Sequence, residues 1–170
     1  MTQKKRLIIA GLILLLLVAI VMGVDALQRQ QAVSNNNQLP EGLPTAAPGS
    51  IPITVNGDLV AAFTPEAIDH LPAASFKDAE EGKTQEGWRL ADVLNFYLAE
   101  ALPADALILV RSNHRDKEAT LTWAEVADPA NEIMFDLAGR GTLKLVSLLP
   151  RLDTRAEWVQ DVDEITITVP

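Results

Sequence analysis

The sequence contains no cysteine and only two histidines in 170 residues. Without a thiol there is no disulfide framework, no cysteine-based zinc or iron–sulfur site and no cysteine nucleophile. Two imidazoles are too few for a His-rich metal site. Cations are scarce as well: 14 Lys and Arg stand against 23 Asp and Glu, a formal charge of −9. That balance opposes nonspecific nucleic-acid binding, which depends on neutralising phosphates with basic side chains. Ser50, Ser75, Ser112 and Ser147 all lack a Gly-x-Ser-x-Gly setting, so there is no nucleophile elbow. Neither common Gly-rich phosphate loop occurs. The length allows one globular domain with something attached.

The attachment is an apolar run. Lys4, Lys5 and Arg6 precede Leu7–Val24, 18 consecutive residues without a charge. A spanning helix needs about 20 mostly apolar residues, with a range near 17–25, so the run qualifies. The basic cluster on one side and Asp25 on the other put residues 1–6 in the cytoplasm and the rest outside it. A cleaved signal peptide is the competing reading, with Val24-Asp25-Ala26 as the cleavage site. A signal core of about 7–15 residues is shorter than this run, which favours a retained anchor. Residues 25–50 read as a tether: Gln28, Gln30, Gln31, Asn35-Asn36-Asn37-Gln38 and three prolines offer little apolar surface to offset ordering entropy. Pro40, Pro44 and Pro48 form no P-x-x-P pair, so a spacer is the better reading than a recognition motif.

Residues 51–170 form the domain. Their 10 basic against 21 acidic residues give −11, more acidic than the whole chain, and an anionic membrane surface should repel such a domain. Ile51–Val55 and Leu59-Val60 flank Asn56-Gly57, the strongest short hairpin signal. Thr64-Pro65-Glu66 predicts a short helix closed by Pro72, with His70 at its negative end. Apolar spacing predicts a second helix over 90–102 and a short one over 123–126. Strands are expected at 106–111, 119–122, 132–137, 143–149 and 164–169, with Gly139-Arg140-Gly141 as a turn. The fold class is therefore α+β and β-rich, preceded by one transmembrane helix.

Two acidic stretches invite a metal: Asp78, Glu80, Glu81 and Glu86, and then Asp161, Asp163 and Glu164. Neither has the spacing and turn glycine of a calcium loop, and a solvated loop and a strand entrance are the plainer readings. Arg111-Ser112-Asn113-His114-Arg115 is the cluster best suited to an anion, with two guanidiniums, a hydroxyl, an amide and an imidazole after a strand. The opposing reading is a charged hairpin loop continued by Asp116-Lys117-Glu118, whose acids pair internally with those arginines. Lys77 and Lys83 are further candidates to assist anion binding. Trp88, Trp123 and Trp158 read as core or core-edge residues whose indole N–H groups find partners.

The order of these fragments resembles a known family. Val55-Asn56-Gly57, His70-Leu71-Pro72 and Gly87-Trp88-Arg89-Leu90-Ala91-Asp92-Val93-Leu94 are followed by Ala119-Thr120-Leu121-Thr122-Trp123-Ala124-Glu125-Val126. Arg140-Gly141-Thr142-Leu143-Lys144-Leu145-Val146 and Glu157-Trp158-Val159-Gln160-Asp161-Val162-Asp163-Glu164-Ile165 complete the series. Together they look like the molybdopterin-binding domain of the sulfite oxidase family in its short bacterial form, over nearly all of residues 51–170. The resemblance implies that family's fold and, for an active member, a molybdenum held by one thiolate between the short helix and the Trp-containing motif. Here that stretch, Ser75–Glu86, offers Ser, Lys, Asp and Glu. Neither a carboxylate nor an amine replaces a soft thiolate without changing the metal chemistry. The basic surroundings of the pterin phosphate are replaced by Asp78, Glu80, Glu81, Glu86 and Asp92.

The expectation is thus a chain without a cofactor or catalytic residue, anchored once in the bacterial cytoplasmic membrane with its domain on the extracytoplasmic face. It would serve a protein partner as accessory subunit or binding module. The small residues Ala10, Gly11, Ala19 and Gly23 of the span suit packing against another helix. The alternative is a small-anion or pterin-like ligand binder, or an oxidoreductase, reusing the family pocket through Arg111, Ser112, Asn113, His114 and Arg115.

Overall fold

The computed structural model describes residues 46–170. The basic cluster at 1–6, the apolar run at 7–24 and the tether up to residue 45 lie outside the described residues. Among the described residues, no helix is long and apolar enough to cross a membrane.

β1 (Ile51–Val55) and β2 (Asp58–Phe63) form the hairpin expected around Asn56-Gly57. Both turn residues take positive φ, 50° and 91°, which a two-residue hairpin turn requires. The helix expected at Thr64 is only a 3₁₀ turn, Pro65–Ile68. Thr64 is extended, but its side chain caps nothing, and Ile68 alone is buried. One apolar anchor is too little to hold a longer helix. His70 consequently lies past the turn, where its ring meets Phe96 edge-on at 4.8 Å between centroids.

β3 (Ala73–Lys77) and β4 (Thr84–Arg89) make a second hairpin, and α1 (Leu90–Tyr97) follows directly. Leu90, Val93 and Leu94 are fully buried, each stabilising the fold by roughly 1.5–3 kcal/mol. The helix is shorter than its apolar spacing predicts. Leu98 turns extended while its N–H closes the last turn on Leu94, and Leu98 and Leu102 reach the core from the following loop.

β5 (Leu107–Ser112) and β6 (Lys117–Thr122) form a third hairpin. α2 (Trp123–Ala127) opens with a capping box: Glu125 N–H donates to Thr122 Oγ1, and Thr122 N–H to the Glu125 carboxylate. β7 (Met134–Leu137) and β8 (Leu143–Val146) are joined by the expected glycine turn, with Gly141 at φ 76°. The short β9 (Val159–Gln160) and β10 (Glu164–Thr168) end the chain.

The strands divide into two five-stranded sheets, ordered β2-β1-β10-β5-β6 and β3-β4-β7-β8-β9. The second is antiparallel throughout; in the first, β10 enters between β1 and β5 and runs parallel to β1. One apolar core draws on both sheets and on α1. The domain is β-rich with few helices, in keeping with a mixed α+β class.

Candidate functional site

Strand alternation sets the Arg111–Arg115 segment. Ile108, Val110 and Ser112 point into the core side of β5, while Arg111 faces outward. The chain then turns tightly, with Arg115 N–H donating to Ser112 O and Asp116 at φ 51°, and β6 begins at Lys117. All five residues therefore share one hairpin end, beside an open depression of about 460 Å3 that Asp116 and Glu118 also line.

The donors of this loop already hold carboxylates of the same chain. Asn113 N–H and Nδ2 donate to Asp163 Oδ1 at 2.9 and 3.0 Å, and His114 N–H donates to Asp163 Oδ2 at 3.3 Å. Asn113 Nδ2 also reaches Glu164 at 3.0 Å. Consecutive backbone N–H groups in such a turn form a concavity suited to an anion, and Asp163 occupies it. Arg111 binds Glu118 at 2.8 Å, while Arg115 pairs with Asp161 rather than with the adjacent Asp116. Asp161 additionally accepts from Arg140 and from Thr142 Oγ1. The Thr142 hydroxyl, then the Arg115 and Arg140 guanidiniums, hold its carboxyl below the usual range despite partial burial. An external anion would have to displace these carboxylates.

Two buried polar atoms stand out. Ser112 Oγ and Trp158 Nε1 have no hydrogen-bond partner among the described residues. The partner expected for the Trp158 indole N–H is missing; its ring instead lies under Lys144 Nζ, 4.9 Å from the centroid.

The solvated loop expected around Asp78, Glu80, Glu81 and Glu86 holds for residues 79–83, where Glu80 and Glu81 are exposed, but not for Asp78. Ser75–Glu86 spans the end of β3, the first half of β4 and the turn between them, and Asp78 is only 4 % exposed. Asp78 accepts from Glu81 N–H at 2.6 Å and from Gln85 Nε2 at 3.0 Å. The Glu81 N–H lowers the Asp78 pKa against the opposing effect of burial. Lys83 and Arg155 both pair with Glu81 and hold its carboxyl low, and Glu80 accepts from Arg155 N–H. Lys83 is thus engaged within its own turn, and no hydrogen bond or ion pair joins Lys77 or Lys83 to the Arg111–Arg115 loop among the described residues.

Sequence reasoning placed Asp161, Asp163 and Glu164 at a strand entrance but missed that they serve Arg111–Arg115. No local pattern links segments about fifty residues apart; β10 pairing with β5 brings them together. Also unforeseen was an apolar cleft of about 350 Å3 lined by Val60, Tyr97, Leu98, Leu102, Pro103 and Val169 among others. Among the described residues no group of three or more His, Asp or Glu is placed to hold a metal ion. No protein-family model matches the chain, and no curated protein matches it.

Proposed function

We propose that this chain is a non-catalytic, membrane-anchored extracytoplasmic module on a sulfite-oxidase-like fold, serving as accessory subunit of a membrane or periplasmic complex. The observation that carries the reading is the closure of Ser75–Glu86. In the resembling family this stretch presents the thiolate to molybdenum. Here it folds into a hairpin whose Asp78, Glu80 and Glu81 carboxylates are held by Glu81 N–H, Gln85, Lys83 and Arg155. The donors it retains are hard oxygens and ammonium groups beside several negative charges, which do not fit a soft metal on an anionic pterin. The uninterrupted apolar run at 7–24 supports the anchor, and the tether supports a domain held off the bilayer. Full-length tagged chain, extracted in detergent from its native membrane, should contain no stoichiometric molybdenum or pterin and should carry a co-purifying protein. Stoichiometric cofactor would overturn the reading.

One observation favours a second reading. Arg111, Ser112 and Asn113 line an open depression at the hairpin end, as a small-anion site would use them, although the unpartnered Ser112 hydroxyl itself is buried on the core side of β5. Phosphate, sulfate or a small carboxylate should then raise the melting temperature of the wild type but not of an Arg111→Ala, Arg115→Ala double variant. Because Asp163 and Glu118 already hold the loop's donors, the first reading is preferred.

A further inference from the structure

The charges of the domain are segregated. No Lys or Arg occurs over residues 46–76, 90–110 or 156–170, the segments that supply β1, β2, α1, β9, β10 and most of β3 and β5. The domain's ten cations lie in the remainder, and nine of them are in ion pairs. The cation-free segments still carry exposed Asp58, Glu66, Asp69, Glu100 and Asp105. Among the described residues none of these five acids is in an ion pair, and Asp58 and Glu66 lie on and just after β2.

β2 is one edge of the first sheet. Sheet edges invite strand addition unless charge, proline, shortness or a cover blunts them. The other three edges are blunted. On β6, Arg151 donates to Thr120 O, and Lys117 and Glu118 add charge. β3 follows Pro72 and ends in an exposed Lys77, and β9 has two residues. β2 reads Asp-Leu-Val-Ala-Ala-Phe, without lysine or proline, and Val60 is 49 % exposed.

Among the described residues no strand pairs with its outer side. Pro52 stands opposite Ala62 in the β1–β2 pair. Proline has no N–H, so this is a pair that does not exchange hydrogen bonds. The N–H and C=O of Ala62 therefore point away from β1, to the open edge. A groove of about 440 Å3 runs along the strand, lined by Ala46, Ala47, Ala61, Ala62 and Val60 among others, and Val60 also lines the cleft beside Tyr97 and Leu98. Small residues leave room there for incoming side chains. Asp58 and Glu66 flank the strand at its two ends.

We infer that the β2 edge is the docking surface for an extended, apolar segment of a partner protein bearing lysine or arginine, which joins the first sheet as an added strand. Backbone bonding at Ala62 supplies attachment, and the grooves on either side of Val60 take alternate side chains. The acids at both ends select a basic segment. A second copy of this chain is disfavoured because its β2 region brings the same acids and the domain carries −11 overall. This inference rests on the reading of the chain as a protein-binding module and names the partner's chemistry.

The test uses full-length chain in non-ionic detergent and a short labelled peptide alternating valine with lysine, its counterpart with glutamate, and fluorescence anisotropy at low and high salt. The lysine peptide should bind, weaken with salt, and outcompete the glutamate peptide. Ala62→Pro removes the outward N–H while sparing the β1 ladder, and should weaken binding by about tenfold. The variant Asp58→Lys with Glu66→Lys should exchange the preference to the glutamate peptide, a result no folding defect produces. Equal binding of both peptides, or binding of neither, overturns the inference. So does sedimentation as a dimer that Ala62→Pro dissolves, because a second copy then holds the edge. Either failure leaves the cofactor-free, partner-bound state of the native chain to be decided separately by metal analysis and co-purification.

Discussion

A Cβ on Gly87 would overlap the carbonyl of Phe135 on the neighbouring strand β7, a backbone obstacle that cannot swing aside. This residue is not among the positive-φ glycines, so it is close approach and not turn geometry that excludes a side chain. A glycine inside a strand pattern is a general sign of such an approach, but β4 itself was not legible as a strand. Gly87→Ala is expected to cost about 3 kcal/mol by forcing β4 away from β7. Gly139→Ala, where nothing lies within 4 Å, should stay within about 0.5 kcal/mol of wild type. Urea unfolding followed by tryptophan fluorescence distinguishes the two; equal midpoints would show that β7 yields. Trp158 teaches the converse at the same scale. Its burial was readable from composition, whereas its missing indole partner depends on packing that no local pattern encodes.

Among the elements, those with apolar periodicity were legible and those without were not. The β1–β2 hairpin, β5, β6, α2 and the β7–β8 turn lie close to where the sequence puts them. β3 and β4 escaped because the inward positions of β4 before Trp88 are Gln85 and Gly87, so alternation exists in burial but not in hydrophobicity. The charge run between them concealed a buried aspartate. α2 is short enough to depend on its cap. Glu125 accepts from Thr122 N–H, and both its carboxylate oxygens bind Arg151, which also reaches Thr120 O on the β6 edge. The Arg151 guanidinium is the main cause that lowers the Glu125 carboxyl from 4.5 to about 2, with Thr122 assisting against partial burial. A depressed folded-state pKa means that the unfolded chain binds the proton more readily. Glu125 therefore contributes stability above pH 4.5 that is lost as the pH falls toward 2. Glu125→Gln should lower the urea midpoint at neutral pH and flatten the wild-type decline over that window. An unchanged slope would mean that the Arg151 contact is absent in solution.

At the scale of the whole molecule, the candidate anion site acts as a clamp between the two sheets. Arg115 belongs to the β5–β6 hairpin of the first sheet, Arg140 and Thr142 to the β7–β8 connection of the second, and Asp161 follows β9 with φ 55° and binds all three. Arg115 and Asp161 were visible in the sequence as candidates, whereas Arg140 read only as part of a turn and Thr142 carried no signal. Their assembly was not visible, because it needs β10 inserted between β1 and β5, a long-range pairing without a local signature. The Asp161 side chain is only 15 % exposed, so its loss leaves two guanidiniums and a hydroxyl without their shared acceptor. Asp161→Ala should cost about 1–3 kcal/mol. Since the folded-state pKa is lowered, the difference from wild type should be full above pH 3.8 and shrink as the pH falls below it. The distinctive expectation is spatial. Hydrogen exchange should accelerate both at Asn113–Asp116 and at Ala138–Thr142, although these loops belong to different sheets. A double-mutant cycle of Asp161→Ala with Arg115→Ala should show coupling, which distant independent sites lack. Acceleration confined to one loop would mean that each sheet closes its own end and that Asp161 joins nothing.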